Sequence, residues 1–235
     1  MPRSSSKKNA AEKNAARKKA AGKSAVRKNP DVPETCSCAL LLIDVINDLE
    51  FDGGKDLFAR ALPMARKLSR LVQRARAERV PVIYVNDNFG HWRSDFRALV
   101  DHCLKDDVRG GPIARLLEPG PTDYFVLKPS NSAFFGTVLE TLLHTLEART
   151  LILTGMAGDN CVLFTAHDAH MRRFRLLVPS DCVASESPTS NRWALQHMRR
   201  FLRADTQPST RMQLAHAKAV EPRKDPSKRG VTRTR

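Results

Sequence analysis

Three residues of this chain combine reactive side chains with positions at the ends of apolar runs. Cys161 follows Leu151-Ile152-Leu153-Thr154-Gly155 and stands where an amphipathic helix begins. A cysteine at such a corner faces the unpaired N–H groups and the positive dipole end of the helix, and both favour thiolate over thiol. A free thiol titrates near ~8.5, so only a few per cent is ionised at neutral pH. The helix end contributes about 0.3–2 kcal/mol, whereas moving a pKa by two units takes about 2.7 kcal/mol. A second positive group is therefore expected. Lys128, which closes the run Tyr124-Phe125-Val126-Leu127-Lys128, supplies it. A third run, Ala39-Leu40-Leu41-Leu42-Ile43-Asp44, ends in a carboxylate. In a parallel α/β sheet the C-terminal strand ends share one rim, where ligands bind. Asp44, Lys128 and Cys161 gathered there would form a base, a cation and a nucleophile. Taken singly, each has an ordinary reading: Asp44 as a turn or helix cap, Lys128 as the first solvated residue after a strand, Cys161 as a buried apolar thiol.

The elements that must position these residues follow from periodicity. Strands are expected at Ala39–Asp44, Val80–Val85, Tyr124–Leu127, Leu151–Thr154 and Phe174–Val178, with a sixth short one after Thr206. Helical spacing marks Leu57–Glu78, where Leu57, Phe58, Ala61, Met64, Ala65, Leu68, Leu71, Val72 and Ala75 recur on one face. Pro63 marks either a kink there or the true first turn. Further helices are expected near Asp95–Leu104 and Ile113–Leu117, and at Thr137–Leu146, Asn160–Arg173 and Pro188–Leu202. Ser187 caps the last, with Pro188 in its first turn. Val-, Ile- and Leu-rich strands alternating with helices predict a three-layer α/β/α fold with a mostly parallel, Rossmann-like sheet of about six strands.

Four segments, in order, carry a resemblance: Leu42-Ile43-Asp44-Val45-Ile46-Asn47-Asp48, Val82-Ile83-Tyr84-Val85-Asn86-Asp87, Lys128-Pro129-Ser130-Asn131-Ser132-Ala133-Phe134-Phe135-Gly136-Thr137, and Leu153-Thr154-Gly155-Met156-Ala157-Gly158-Asp159-Asn160-Cys161-Val162. Over residues 38–205 the chain resembles the isochorismatase-like cysteine hydrolases, a superfamily that includes nicotinamidases and carbamoylsarcosine amidase. The resemblance implies an Asp44–Lys128–Cys161 triad that cleaves a small-molecule amide at a non-peptide C–N bond through an acyl-enzyme. It further implies an oxyanion hole from the backbone N–H groups of Ala157 and Cys161, and a cis peptide between Met156 and Ala157. Phe89, Trp92 and Phe134 are expected as apolar walls of the substrate pocket, with core or dimer-contact positions as the other reading. Nicotinamidases of this superfamily carry an Asp/His metal cluster after the second strand. Here the stretch reads Asn86-Asp87-Asn88-Phe89-Gly90-His91-Trp92, with Phe89 where a histidine ligand is expected, so no metal and no cofactor are expected. His167 and His170, three apart on one helix with Asp168 between them, suit metal spacing but read better as core or solvent-facing residues.

Charge divides the chain into a neutral body and two basic ends. Residues 1–29 carry ten Lys/Arg and one acid, residues 211–235 carry eight and two, and residues 30–210 carry 22 of each sign. The expected organisation is thus a disordered basic tail at 1–29, a hydrolase domain at 30–210 and a basic tail at 211–235. Such tails either aid solubility or touch nucleic acid weakly and without sequence preference. The five cysteines, Cys36, Cys38, Cys103, Cys161 and Cys182, are odd in number and form no disulfide framework, which points to a reducing, cytoplasmic setting. Cys36-Ser37-Cys38 has neither redox nor zinc spacing. No apolar run approaches the ~18 residues of a bilayer span, and no signal-type apolar region follows Met1. The expected partners are a small amide substrate and further copies of the chain in a homo-oligomer, with no membrane. A second functional reading is a catalytically idle α/β module whose tails bind nucleic acid or a protein.

Overall fold

The fold is built around β1 (Cys38–Ile43), in which every residue is buried. The computed structural model describes residues 36–88 and 95–214, so the tail 1–29, Phe89, Trp92, His91 and residues from 215 onward lie outside the described residues. After β1 come α1 (Gly54–Ala77), β2 (Val82–Asp87), α2 (Phe96–Lys105), α3 (Gly111–Leu116), β3 (Tyr124–Lys128), α4 (Leu139–Thr145), β4 (Thr150–Met156), α5 (Cys161–Met171), β5 (Arg175–Leu177), β6 (Val183–Ala184) and α6 (Pro188–Phe201). The strand order is β3-β2-β1-β4-β5, with β6 paired to the end of β4, and every pairing is parallel.

The two-residue period of β1 divides the core. Leu40 and Leu42 point to one face, where α1, α2 and α3 cover them together with Val82, Tyr84 and Ile152. Ala39, Leu41 and Ile43 point to the other, against Leu139 of α4, Val162 and Ala166 of α5, and Ala194 and Met198 of α6. The three-layer α/β/α expectation is met because a parallel sheet must hide both faces, which is why its strands read as continuous apolar runs.

Chain order matters for the site. From β1 the chain runs outward through β2 to β3, then returns to place β4 on the other side of β1. Ligands of open α/β sheets bind at such a reversal, beyond the carboxyl ends of the strands. Asp44 follows β1 at that point, Cys161 opens the helix after β4, and Lys128 ends β3.

Three expectations need correction. The sixth strand is Val183–Ala184, before α6, and after Thr206 there is a 3-10 turn at Ser209–Arg211. Two residues are too short a run for periodicity to register; among the described residues past α6, a single bridge, Leu177 to Asp205, extends the pairing. Pro63 does not open its helix, which begins nine residues earlier at Gly54 and continues through the proline. The folded body also passes residue 210. Met212 and Leu214 are buried at 5% and 1%, and the Arg74 guanidinium donates to Ser209 O at 2.9 Å and Met212 O at 2.6 Å. Counting charge from Arg211 hid these two apolar anchors. The cap reading of Ser187 holds: its Oγ accepts from the N–H groups of Thr189 and Ser190.

Candidate active site

Asp44 is fixed by backbone before its side chain acts. It has φ 53°, the left-handed region that aspartate tolerates better than most residues, and its N–H donates to Val85 O at 2.8 Å. This turns the carboxylate back over the rim. Beside it, Gly155 of β4 has φ 111°, and a Cβ there would lie 2.1 Å from Ile43 O. Only glycine lets β4 approach β1 so closely under the site.

Lys128 has no exposed surface, and its register partner on β2 is Asp87. A buried ammonium is tolerable only with its protons satisfied and its charge balanced. Nζ lies 3.0 Å from Asp44 Oδ2 and 3.3 Å from Asp87 Oδ2. It also donates to Ser130 O at 3.2 Å and reaches Cys161 Sγ at 3.5 Å. The second oxygen of Asp44 accepts the Asp87 N–H at 2.8 Å. Cys161 is the only one of the five cysteines that is not buried. Its helix has no side-chain cap, so the first-turn N–H groups of α5 are left for other acceptors.

The three expected residues therefore meet in one cluster, together with two that sequence reasoning missed, Asp87 and the Ser130 carbonyl. The signal for Asp87 was present: β2, like β1 and β3, delivers an ionisable residue to the same rim. Ser130 acts through its backbone, which residue type does not reveal.

The electrostatics correct one expectation. Burial pushes the Asp44 carboxyl above the usual carboxylate range, against the pull of Lys128 and of hydrogen bonds from Cys161, Lys128 and the Asp87 N–H. Burial would lower Lys128, but Asp44, Cys161 and Asp87 outweigh it and raise the ammonium above its ordinary value. Cys161 was expected to favour thiolate. Instead its thiol is pushed up to about 12, first by burial and then by the Asp44 charge, with Lys128 pulling the other way. Lys128, already shared with the part-exposed Asp87, does not hold Asp44 and Cys161 ionised together out of water, but it can support either one. Moving the thiol proton onto Asp44 exchanges a carboxylate–ammonium pair for a thiolate–ammonium pair without changing the charge buried around Nζ.

Supporting contacts hold the helix that Cys161 opens to the loop after Lys128. Thr165 Oγ1 donates to Cys161 O at 2.7 Å and accepts the Ala133 N–H at 3.0 Å. Ser132 Oγ donates to Asp168, whose other oxygen takes Arg172 at 2.9 Å. The Met156–Ala157 peptide is cis. Phe134 does not form a pocket wall: it is 5% exposed, packed against Phe174 at 6.0 Å between ring centroids, with the Arg172 guanidinium over its ring. The loop after Lys128 turns this ring inward and leaves Phe135 outside.

Metal ligation of the nicotinamidase kind does not fit these residues. Asp87 is committed to Lys128, and the 86–94 stretch holds a single histidine, His91. Among the described residues, no group of three His, Cys, Asp or Glu side chains is arranged to hold an ion, and no helix is long and apolar enough to cross a membrane. Asp168 between the two histidines of α5 is spent on Ser132 and Arg172, while His167 faces His197 of α6 at 3.1 Å rather than His170. His167 is held below the ordinary imidazole range by burial and then by its histidine neighbours.

The sequence profile of the Isochorismatase domain matches residues 38–207, which takes in every residue of this cluster. The chain belongs to the isochorismatase family of hydrolases. Its similarity to the uncharacterized isochorismatase family protein YaaI of Bacillus subtilis (strain 168) is 41% identity over 167 residues, covering 71% of this chain and 91% of that one. Among solved structures, an isochorismatase family protein from Desulfovibrio vulgaris subsp. vulgaris str. Hildenborough is similar with TM-score 0.61 and 25% identity, covering 75% of this chain and 96% of that one. The N-carbamoylsarcosine amidase of Thermoplasma acidophilum is similar with TM-score 0.57 and 26% identity, over 75% of this chain and 99% of that one. This isochorismatase-family chain is thus similar to an amidase over 75% of its length.

Proposed function

We propose that the protein hydrolyses a small, non-peptide amide through a covalent acyl-enzyme on Cys161. The observation that carries this reading is the buried Lys128 ammonium, whose Nζ lies 3.0 Å from Asp44 and 3.5 Å from the Cys161 sulfur. Asp44 accepts the thiol proton as Sγ attacks the substrate carbonyl carbon. Lys128 is paired with the carboxylate at rest and with the sulfur as its proton leaves; once the C–S bond has formed, Asp87 remains beside the ammonium. The developing oxyanion takes the N–H groups of Ala157 and Cys161, aimed where negative charge appears. Their neighbours are occupied, since the N–H groups of Asn160 and Val162 both bond Ala157 O at 3.1 Å. Protonated Asp44 returns the proton to the leaving nitrogen as the C–N bond breaks, and ammonia or an amine departs. Water deprotonated by Asp44 then attacks the thioester, the C–S bond breaks, and the acid leaves with the thiol restored.

The raised pKa values of Asp44 and Cys161 support this division of labour. A raised carboxyl is a better proton acceptor, and a thiol that stays protonated at rest is protected from oxidation. Kinship with a carbamoylsarcosine amidase supports cleavage at a C–N bond. A panel of small amides, carbamoyl compounds and ureido acids, assayed for ammonia release, tests the reading. At least one is expected to turn over with wild-type protein and none with Cys161→Ser. Silence across the panel, in a protein that also fails to react with thiol-directed electrophiles, would favour the idle binding module instead.

A further inference from the structure

Outside the cluster around Lys128, one pair of metal-ligating side chains is already converged. His167 lies midway along α5 and His197 in the second half of α6, thirty residues apart in sequence, and their Nε2 atoms face each other at 3.1 Å. Both rings are half-buried. Two nitrogens that each sit about 2.0–2.1 Å from a shared ion, and 3.1 Å from each other, subtend an angle of about 95–100° at it. That lies between the cis angle of square-planar or octahedral coordination and the tetrahedral angle. The ring planes are inclined at 50° with centroids 5.1 Å apart, so the two rings do not stack and their ends, rather than their faces, meet. His197 is clamped between Trp193 and Phe201, at 5.3 and 4.8 Å between centroids, which fixes its direction. It also borders an open hollow of about 590 Å³.

We propose that His167 and His197 form a bidentate site for a divalent transition-metal ion, a chelate that ties α5 to α6. Imidazole nitrogens suit zinc, copper, iron and nickel, whereas magnesium and calcium need oxygen ligands. Among the described residues no third His, Cys, Asp or Glu completes the set, so the remaining positions are open to water or exchangeable ligands. The site is separate from the chemistry at Cys161, but the two share α5, whose first residue is the nucleophile. An ion that fixes α5 against α6 fixes the support of Cys161 as well.

The test uses the full, tag-free chain carrying Cys161→Ser, which removes thiol competition, and titrates it with nickel chloride. The indole of Trp193 is the reporter, because its ring lies 5.3 Å from that of His197 and a paramagnetic ion there quenches it. The expected result is a saturable, one-to-one quench that zinc reverses, together with a rise in melting temperature, since an ion that binds only the folded form stabilises it. Trp193→Phe should remove the signal and keep the thermal shift. His197→Gln is the discriminating variant: glutamine still hydrogen-bonds His167 but is a poor ligand, so affinity should fall by at least about tenfold while circular dichroism is unchanged. His167→Gln should do the same. Quenching and thermal shift that survive either glutamine variant, or that never appear in the parent, would overturn the proposal and leave the pair as an N–H···N hydrogen bond.

Discussion

Replacing Lys128 with methionine should expose how strongly the cluster depends on one buried cation. The side chain has no exposed surface, and Asp44, 7% exposed, relies on it as the ion partner at 3.0 Å. Removing one member of a buried pair costs about 3–5 kcal/mol, because an uncompensated charge remains. For a body of this size each kcal/mol corresponds to about 2–4 °C in melting temperature. The penalty should depend on pH. Asp44 has a folded-state pKa above its unfolded value, so it favours the fold while protonated, and that contribution is lost as pH rises through the folded pKa. Lys128 is the main charge holding that pKa down. Without the lysine it rises further, so the penalty of Lys128→Met should be greatest above the Asp44 pKa and shrink as pH falls through it. Urea unfolding of wild type and variant from about pH 5 to about pH 9 measures this directly. The double variant Asp44→Asn with Lys128→Met should recover part of the loss at the alkaline end, since no isolated charge remains between those two positions. A penalty below about 1 kcal/mol, flat in pH and not relieved by the double variant, would refute the pairing of Asp44 with Lys128 as the organising contact.

Three other perturbations separate the contributions. Iodoacetamide should label Cys161 ahead of Cys36, Cys38, Cys103 and Cys182, because it alone is not buried, and the rate should still be climbing at pH 9 for a thiol pushed up to about 12; a plateau by pH 7, read by peptide mapping, would show a thiolate at rest. Thr165→Val strands the buried Ala133 N–H and frees the Cys161 carbonyl, so it should cost about 1–3 kcal/mol in urea unfolding and lower turnover, whereas Thr165→Ser should restore both. Truncation after residue 214 should leave melting temperature and turnover unchanged, while truncation after 210 should lower the melting temperature, since it deletes the buried Met212 and Leu214.

The fold and the three central residues were legible because both rest on strong local signals. Apolar runs such as Ala39–Ile43 and Leu151–Leu153, set between helical patterns, read as strands buried on both faces, and parallel strands deliver Asp44 and Lys128 to one rim. What sequence hid were properties of assembly. The thiol at Cys161 stays protonated because burial and Asp44 together outweigh one helix end and one lysine, a balance that no local pattern contains. Val183–Ala184 is a strand only because β4 lies beside it. Phe134 reads as a pocket aromatic by position but is drawn into the core by Phe174 and Arg172. His197 meets His167 through helix packing across thirty residues, a contact that spacing within one helix cannot suggest.

The acyl-enzyme is the central claim, and the mass of the intact protein during turnover tests it most directly. A substrate found by ammonia release is mixed with enzyme and quenched in acid within the first turnovers, and the protein is weighed and then mapped. The account predicts a mass increase equal to the acyl group, located on Cys161, absent from Cys161→Ser and cleared as substrate is exhausted. Sustained ammonia release with the protein mass unchanged at every quench time, or release that persists in Cys161→Ser, would contradict it.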